Sequence, residues 1–349
     1  MKVVLSPDSF KECLSSPQVA EAMACGVRRI RPDAEIVSLP LSDGGEGMLD
    51  VLAPALSAEI RVAVVADPLG RPVEARWGKC GETAVVETAC ACGLTLLDPA
   101  ERNPLKASSC GVGELLLDVS RHGCRHFLVG LGGSAICDGG AGMLSVPGLE
   151  DALKGVDIEL LSDVDAPFVG PRGAARIFAP QKGASPAEVD ILEERMVRMA
   201  EELLRKTGVD VSDLSGAGAA GGLGGALMAC FGARMARGID RILDLVGFDA
   251  AVRGADLIIT GEGRSDAQTL LGKVPLGVLR RAGSIPVALL SGRIDDRAAL
   301  SAAGFSLLQE VTPRQMLLSE ALAPLMAIQN IIKATQSLFS KNCYICRLK

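Results

Sequence analysis

The first forty residues constrain the architecture more than any other part of the chain. KVVLSPD is a short run of β-rich apolar residues that stops at a polar turn, PQVAEAMACGVRRI repeats its apolar residues at helical spacing, and AEIVSLP is a second short apolar run. A strand, a helix and a strand in this order form a βαβ unit, whose second strand lies parallel to its first and whose helix covers one face of the sheet. Such sheets bind ligands beyond the carboxyl ends of their strands, so the residues that follow each apolar run carry most of the functional information. The same texture returns late in the chain, in DLIITGEG, PVALLSG and FSLLQEV. In between, from Ala58 to Glu87, alternation broken by turn residues at short intervals predicts antiparallel hairpins. The expected fold is therefore α/β. A doubly wound, mostly parallel sheet domain of the flavodoxin or Rossmann kind spans 1–60 and 240–349, and a second α/β domain, 61–239, is inserted into it with the hairpins and a glycine-rich loop.

With 349 residues, 48% of them apolar, the chain suffices for two cores of ordinary size. A net charge of -6 leaves no positive field for nucleic acid or an anionic membrane, so small anions need local sites. The 11 cysteines lie scattered in apolar stretches, without zinc-ribbon spacing or a dense disulfide framework, and read as reduced thiols of a cytoplasmic protein. Cys343 and Cys346 form a lone C-x-x-C that reads as a terminal tail. MKVVLSPDS reaches a polar turn too early for a signal-peptide core. Leu214–Ala233 carries no charge, but its glycine density suits a loop running into a buried helix better than a lipid span. Two histidines, His122 and His126, and the absence of G-x-S-x-G count against a histidine metal cluster or a serine triad. Acid, lysine and glycine chemistry remains.

In SPDSFKECLSS, Asp8, Ser9 and Lys11 fall at the end of the first strand, and Ser15 or Ser16 can cap the helix that Pro17 starts. The pattern D-G-G-x-G-M-L occurs twice, at Asp43 and at Asp138, each time after a strand-like run. Such a turn leaves N–H groups open to an anion, while its carboxylate can hold Mg²⁺ or accept a hydroxyl proton. A single copy is ordinary helix capping. Two copies, with Glu262, Arg264 and Asp266 in GEGRSD after a third strand, put carboxylates at three strand ends. GLGGSA, with Gly132, Gly133 and Ser134, fits the dinucleotide fingerprint G-x-G-x-x-A without the acid that should follow it, so a nicotinamide-dependent oxidoreductase is the alternative function.

GAGAAGGLGGA lacks the G-K-[ST] of a Walker loop; Gly216, Gly218, Gly221 and Gly222 either bring backbone close to phosphates or serve tight helix packing. In LSDVDAPFVGPRG, Asp163 and Asp165 share a face if the strand continues through them, and PQKGA sets Lys182 on a turn. Paired carboxylates with lysines suit Mg²⁺-assisted phosphoryl transfer, and they equally suit surface ion pairs.

Six segments in the same order, SPDSFKECLSS, LSDGGEGM, GLGGSAICDGGAGM, SDVDAPFVGPRGAARIFAPQKGA, GAGAAGGLGGA and ADLIITGEGRSDAQTLLGKVPLGV, resemble the signatures of the bacterial type I glycerate kinases, over residue 1 to about 311. The resemblance implies ATP-dependent phosphorylation of D-glycerate with Mg²⁺, at the 2-hydroxyl, in the cleft of a two-domain α/β fold. In that cleft Lys11, Arg264 and Lys273 are expected to neutralise phosphate and carboxylate charge, and Asp43 or Asp138 to hold Mg²⁺ or orient the hydroxyl. Asp8, Glu262 and Asp266 complete the catalytic set. Gly132, Gly133, Ser134, Lys182 and the stretch 216–224 face the nucleotide, with Asp163 and Asp165 as further metal ligands. Three features depart from the family pattern: a shorter segment between Met143 and Asp163, Cys137 where a small polar residue is common, and the ending SLFSKNCYICRLK. A catalytically silent sugar-acid-binding relative is a second alternative, and the sequence leaves a homodimer open.

Overall fold

In the computed structural model, which describes residues 1–339, the strands are β1 (Lys2–Pro7), β2 (Glu35–Ser38), β3 (Glu59–Ala66), β4 (Pro72–Cys80), β5 (Thr83–Glu87), β6 (His126–Gly130), β7 (Asp157–Leu161), β8 (Arg234–Ala236), β9 (Leu257–Ser265), β10 (Val287–Ile294) and β11 (Leu307–Glu310). They form two sheets, in two units. Unit 1 combines residues 1–43 with the segment from Ile239 onward, and unit 2 is 44–238. The inserted unit thus begins at Gly44, ahead of the hairpins that mark it in the sequence.

Unit 1 holds a five-stranded parallel sheet in the order β11-β10-β9-β1-β2. From β1 the chain steps outward to β2. After the insertion it re-enters on the other flank of β1 and steps outward through β9, β10 and β11. The strand order reverses between β1 and β9, which pair from Val3↔Leu257 to Pro7↔Gly261. That reversal is the topological switch point at which open α/β sheets bind ligands. Val3, Leu5, Leu257, Ile259, Ala288 and Leu290 are buried with helices Ser16–Ile30 and Pro324–Leu338. Each fully buried aliphatic side chain contributes about 2 kcal/mol of transfer free energy. The first helix starts where the sequence dictates: Ser15 and Gln18 form a capping box, and Pro17 lies in the first turn. At Gly26 a Cβ would stand 2.6 Å from Thr335 Cβ, so glycine there lets the closing helix approach.

Unit 2 holds a six-stranded sheet in the order β3-β4-β5-β6-β7-β8. Its first three strands form an antiparallel meander and the rest are parallel. Trp77 of β4 is fully buried, and its Nε1–H donates to Asp118 at 3.2 Å. The short link between Met143 and Asp163 still closes the parallel β6/β7 pair. It does so through two single-turn helices, Ala141–Leu144 and Leu149–Ala152, which send Met143, Val146, Leu149 and Leu153 into the core. Within Leu214–Ala233, a loop and a 3₁₀ turn, Ala219–Gly222, lead into helix Leu223–Phe231. No helix among the described residues is long and apolar enough to cross a membrane. The cysteines among the described residues are free, and Cys343 and Cys346 lie outside them.

Candidate functional site

β1 ends at Pro7, so Asp8 emerges where β1 and β9 part, and its backbone N–H donates to the Gly261 carbonyl at 2.8 Å. Its side chain is buried, and Ser9 N–H donates to Oδ1 at 2.7 Å. Burial, joined by the negative charges of Asp43 and Glu262, pushes the Asp8 carboxyl up to about 8 against the pull of Ser9 N–H and Lys11. Asp43 arrives from the chain that leaves β2, where Leu39 and Leu41 N–H donate to the Leu5 and Pro7 carbonyls at 2.8 and 2.9 Å. Glu262, on β9, is buried as well. Its Oε1 accepts from Ser265 Oγ at 2.8 Å and Thr269 Oγ1 at 2.5 Å, and its Oε2 lies 3.5 Å from Lys273 Nζ. Burial raises the Glu262 carboxyl, while Lys273 and the two hydroxyls pull it down. The buried hydroxyls of Ser6 and Ser42, beside Pro7 and Asp43, have no hydrogen-bond partner among the described residues.

The switch point of unit 1 therefore gathers three carboxylates and two ammonium groups. Such a set can hold a proton and an anionic substrate. The remaining acid and base of GEGRSD have partners within the protein. Asp266 caps the turn Ala267–Leu271 through Gln268 N–H at 2.8 Å, and Arg264, mostly exposed, pairs with Asp295 at 2.6 Å.

The two D-G-G turns have diverged in conformation and in role. Gly44 and Gly47 are left-handed in the first, Gly139 and Gly140 in the second. In unit 2 the Asp138 carboxylate is filled by its own surroundings. Oδ2 accepts from Ser109 N–H and Oγ, both at 2.8 Å, and from Gly142 N–H at 3.1 Å, while Oδ1 accepts from Gly140 N–H at 3.1 Å. Asp138 thus caps its own turn and ties two segments together. In the first turn the capping is done by Glu87, which the sequence reading missed. From the end of β5 its carboxylate accepts from Gly47 N–H at 3.3 Å and from Leu49 N–H at the start of helix Met48–Ala55. Burial pushes Glu87 up to about 7 despite those two amides.

The other candidates in unit 2 are largely structural. The stretch 216–222 is buried and its backbone is committed to protein: Gly218 N–H donates to Ala166 O at 3.0 Å, and Gly221 O accepts from Gly139 N–H at 3.0 Å. A Cβ would stand 2.3 Å from Pro167 O at Gly218, 2.1 Å from Ile136 O at Gly221, 2.5 Å from Met196 Cε at Gly222 and 2.9 Å from Met235 Cε at Gly216. At these positions backbone meets backbone and side chain, which accounts for the glycines by packing. Lys182 is buried, not solvated on a turn; its Nζ donates to Ile136 O at 2.6 Å and Ser134 Oγ at 3.0 Å, and burial lowers its pKa.

β7 ends at Leu161, so Asp163 and Asp165 stand on a loop and the two-residue alternation of a strand does not align them. Among the described residues no cluster of three acids, cysteines or histidines could hold a metal by itself. GLGGSA follows β6, but the next helix opens at Ala141, too late for the dinucleotide fingerprint. Gly133, with φ 77°, is the exposed point of that loop, beside the half-buried Gly132 and the buried Ser134.

The chain matches the model of the Glycerate kinase family over residues 3–151 and 144–341, two stretches that meet inside the shortened link. It is 39% identical to a glycerate kinase of Bacillus subtilis (strain 168), over 92% of this chain and 93% of that protein. It is 40% identical to a glycerate 2-kinase of Escherichia coli (strain K12), over 85% and 86%. A crystal structure assigned to glycerate kinase 2 of Salmonella typhimurium LT2 superposes with a TM-score of 0.81 at 38% identity, covering 97% of each chain.

Proposed function

We propose, from the premise that this chain belongs to the glycerate kinase family, that it moves the terminal phosphoryl group of ATP to the 2-hydroxyl of D-glycerate, with Mg²⁺, giving 2-phosphoglycerate and ADP. The observation that carries the reading is the gathering of Asp8, Asp43 and Glu262 with Lys11 and Lys273 at the β1/β9 switch point. Phosphoryl transfer asks a protein mainly for positioning and charge neutralisation. Asp8, a buried carboxyl held near 8, is matched to taking up the hydroxyl proton at neutral pH. Ser9 N–H fixes its Oδ1 and leaves Oδ2 for the substrate.

Lys11 and Lys273 offset the charge of the glycerate carboxylate and of the phosphates, and Glu262 orients Lys273. Mg²⁺ is bound through one or two carboxylates, waters and phosphate oxygens, and the oxygen donors of Asp43 fit that need. When bound, it supplies charge neutralisation at the phosphoryl oxygens. In unit 2 we assign the loop Gly132–Ser134 to the nucleotide, because exposed Gly133 has no Cβ to hold a phosphate away from the backbone. Free thiols suit a reducing, cytoplasmic setting.

The test mixes purified protein with ATP, Mg²⁺ and D-glycerate and reads the product through enolase and pyruvate kinase, with and without phosphoglycerate mutase. Signal without the mutase supports the 2-hydroxyl. Signal that requires the mutase assigns the 3-hydroxyl and overturns the regiochemistry, and no signal from folded protein overturns the activity.

A further inference from the structure

The six-stranded sheet of unit 2 has an open edge. β3 pairs with β4 in the register Glu59↔Lys79 to Ala66↔Pro72, and among the described residues no strand of the sheet lies on its other side. Ile60, Val62 and Val64 share one face of β3 and are 40%, 53% and 72% exposed, whereas Ala63 and Val65 on the opposite face are buried. At the end of the strand Ala66 N–H turns away from β4 and donates to Glu114 Oε2 at 2.7 Å. By the alternation of an antiparallel ladder, Ile60, Val62 and Val64 turn their N–H and C=O groups to that same open edge. Beside it lies a cavity of about 600 Å³ between β3 and helix Cys110–Arg121, lined by Val62–Ala66 and by Glu114, Leu117, Asp118 and Arg121. Soluble proteins normally blunt an edge with proline, a bulge or outward charge. β3 runs eight residues without a proline, and its outward row from Ile60 to Val64 is apolar.

We propose that β3 docks on β3 of a second copy, antiparallel about a two-fold axis at Ala63, so that the two sheets become one. The pairing must set residues with outward-facing backbone groups opposite one another, so even-numbered positions meet even-numbered positions. With the axis at Ala63, Val62 meets the second copy's Val64 and the reverse. The two alanines take the close pair without hydrogen bonds, where small side chains fit.

Charge favours this register over an axis at Val62 or at Arg61. The second copy's Arg61, whose guanidinium lies 3.1 Å from Glu59 of its own chain, falls opposite Val65, beside Glu114 of the groove, and the symmetry repeats the contact. An axis at Val62 would set Glu59 there against Glu114, and an axis at Arg61 would oppose the two guanidinium groups. The contact is self-complementary, which favours a second copy over an unrelated strand.

The full chain, at tens of micromolar, is measured by sedimentation velocity. Twice the chain mass is expected. The variants Val62→Lys/Val64→Lys and Val62→Glu/Val64→Glu, both at exposed positions, should each run at the chain mass with the parent's circular dichroism. Mixed in equal amounts they should return to twice the mass, because each substituted lysine then faces a substituted glutamate. A parent at the chain mass, variants that pair as the parent does, or a mixture that stays at the chain mass each overturns the proposal.

Discussion

Asp8→Asn keeps the shape of the side chain and the Oδ1 acceptor for Ser9 N–H while removing a titrating charge. The folded carboxyl titrates at about 8 against 3.8 for an ordinary aspartate. Across that interval the native state holds a proton that the unfolded chain has released. The stability linked to this proton is fully present below 3.8 and is lost as pH rises to about 8. Each pH unit is worth about 1.4 kcal/mol, so the span from pH 5 to pH 8 sets a ceiling of roughly 4 kcal/mol, which the neighbouring Lys11 lowers. Asp8→Asn should therefore gain roughly 1–3 kcal/mol over the parent at pH 8.5 relative to pH 5, read by urea unfolding at both values. Turnover should fall at least about 100-fold, because an amide cannot take the hydroxyl proton. An unfolding difference that does not change with pH, or turnover within a few-fold of the parent, refutes the role assigned to Asp8.

Gly221→Ala should lower stability by roughly 2–3 kcal/mol, since its Cβ meets Ile136 O at 2.1 Å with φ at 64°. Thermal unfolding checks this, and an unchanged Tm with a raised KM for ATP would restore the phosphate role of that glycine. Glu87→Gln should flatten the pH dependence of stability between 4.5 and about 7. There the parent loses stability as pH rises, because its folded carboxyl is raised. A Tm profile that keeps the parent's full slope would place that titration elsewhere.

Asp8 and Glu262 can be found in the sequence because each lies at the end of an apolar run, and the parallel sheet carries such ends to one edge. Asp43 and Asp138 cannot be told apart there. What separates them is Glu87, 40 positions from Gly47, whose carboxylate caps the helix after the first turn, whereas Asp138 caps the second itself. Glu87 also ends a strand, so the logic that found Asp8 applied to it, but its amide partners are visible in three dimensions alone. The glycines of 216–222 mislead for a physical reason: a backbone that must approach a phosphate and one that must approach another backbone both exclude Cβ. Lys182 misleads because turn lysines are normally solvated, whereas this one satisfies the carbonyl and hydroxyl of a loop more than 40 residues earlier. Asp163 and Asp165 depend on where β7 stops, a boundary set by its pairing partners on either side.

The pairing of Val3 with Leu257 also sets an order of events during synthesis. Lys2 N–H must find Asp256 across 254 positions of chain. At roughly 10 residues per second a nascent β1 waits on the order of 25 s before its central neighbour has been translated. By then every strand of unit 2 exists. The inserted unit is thus in a position to form first, while KVVL, with β2 as its one translated neighbour, remains a half-paired, aggregation-prone stretch of the kind that chaperones shield. A chain interrupted anywhere between residues 239 and 256 would carry all six strands of one sheet and no central pair for the other.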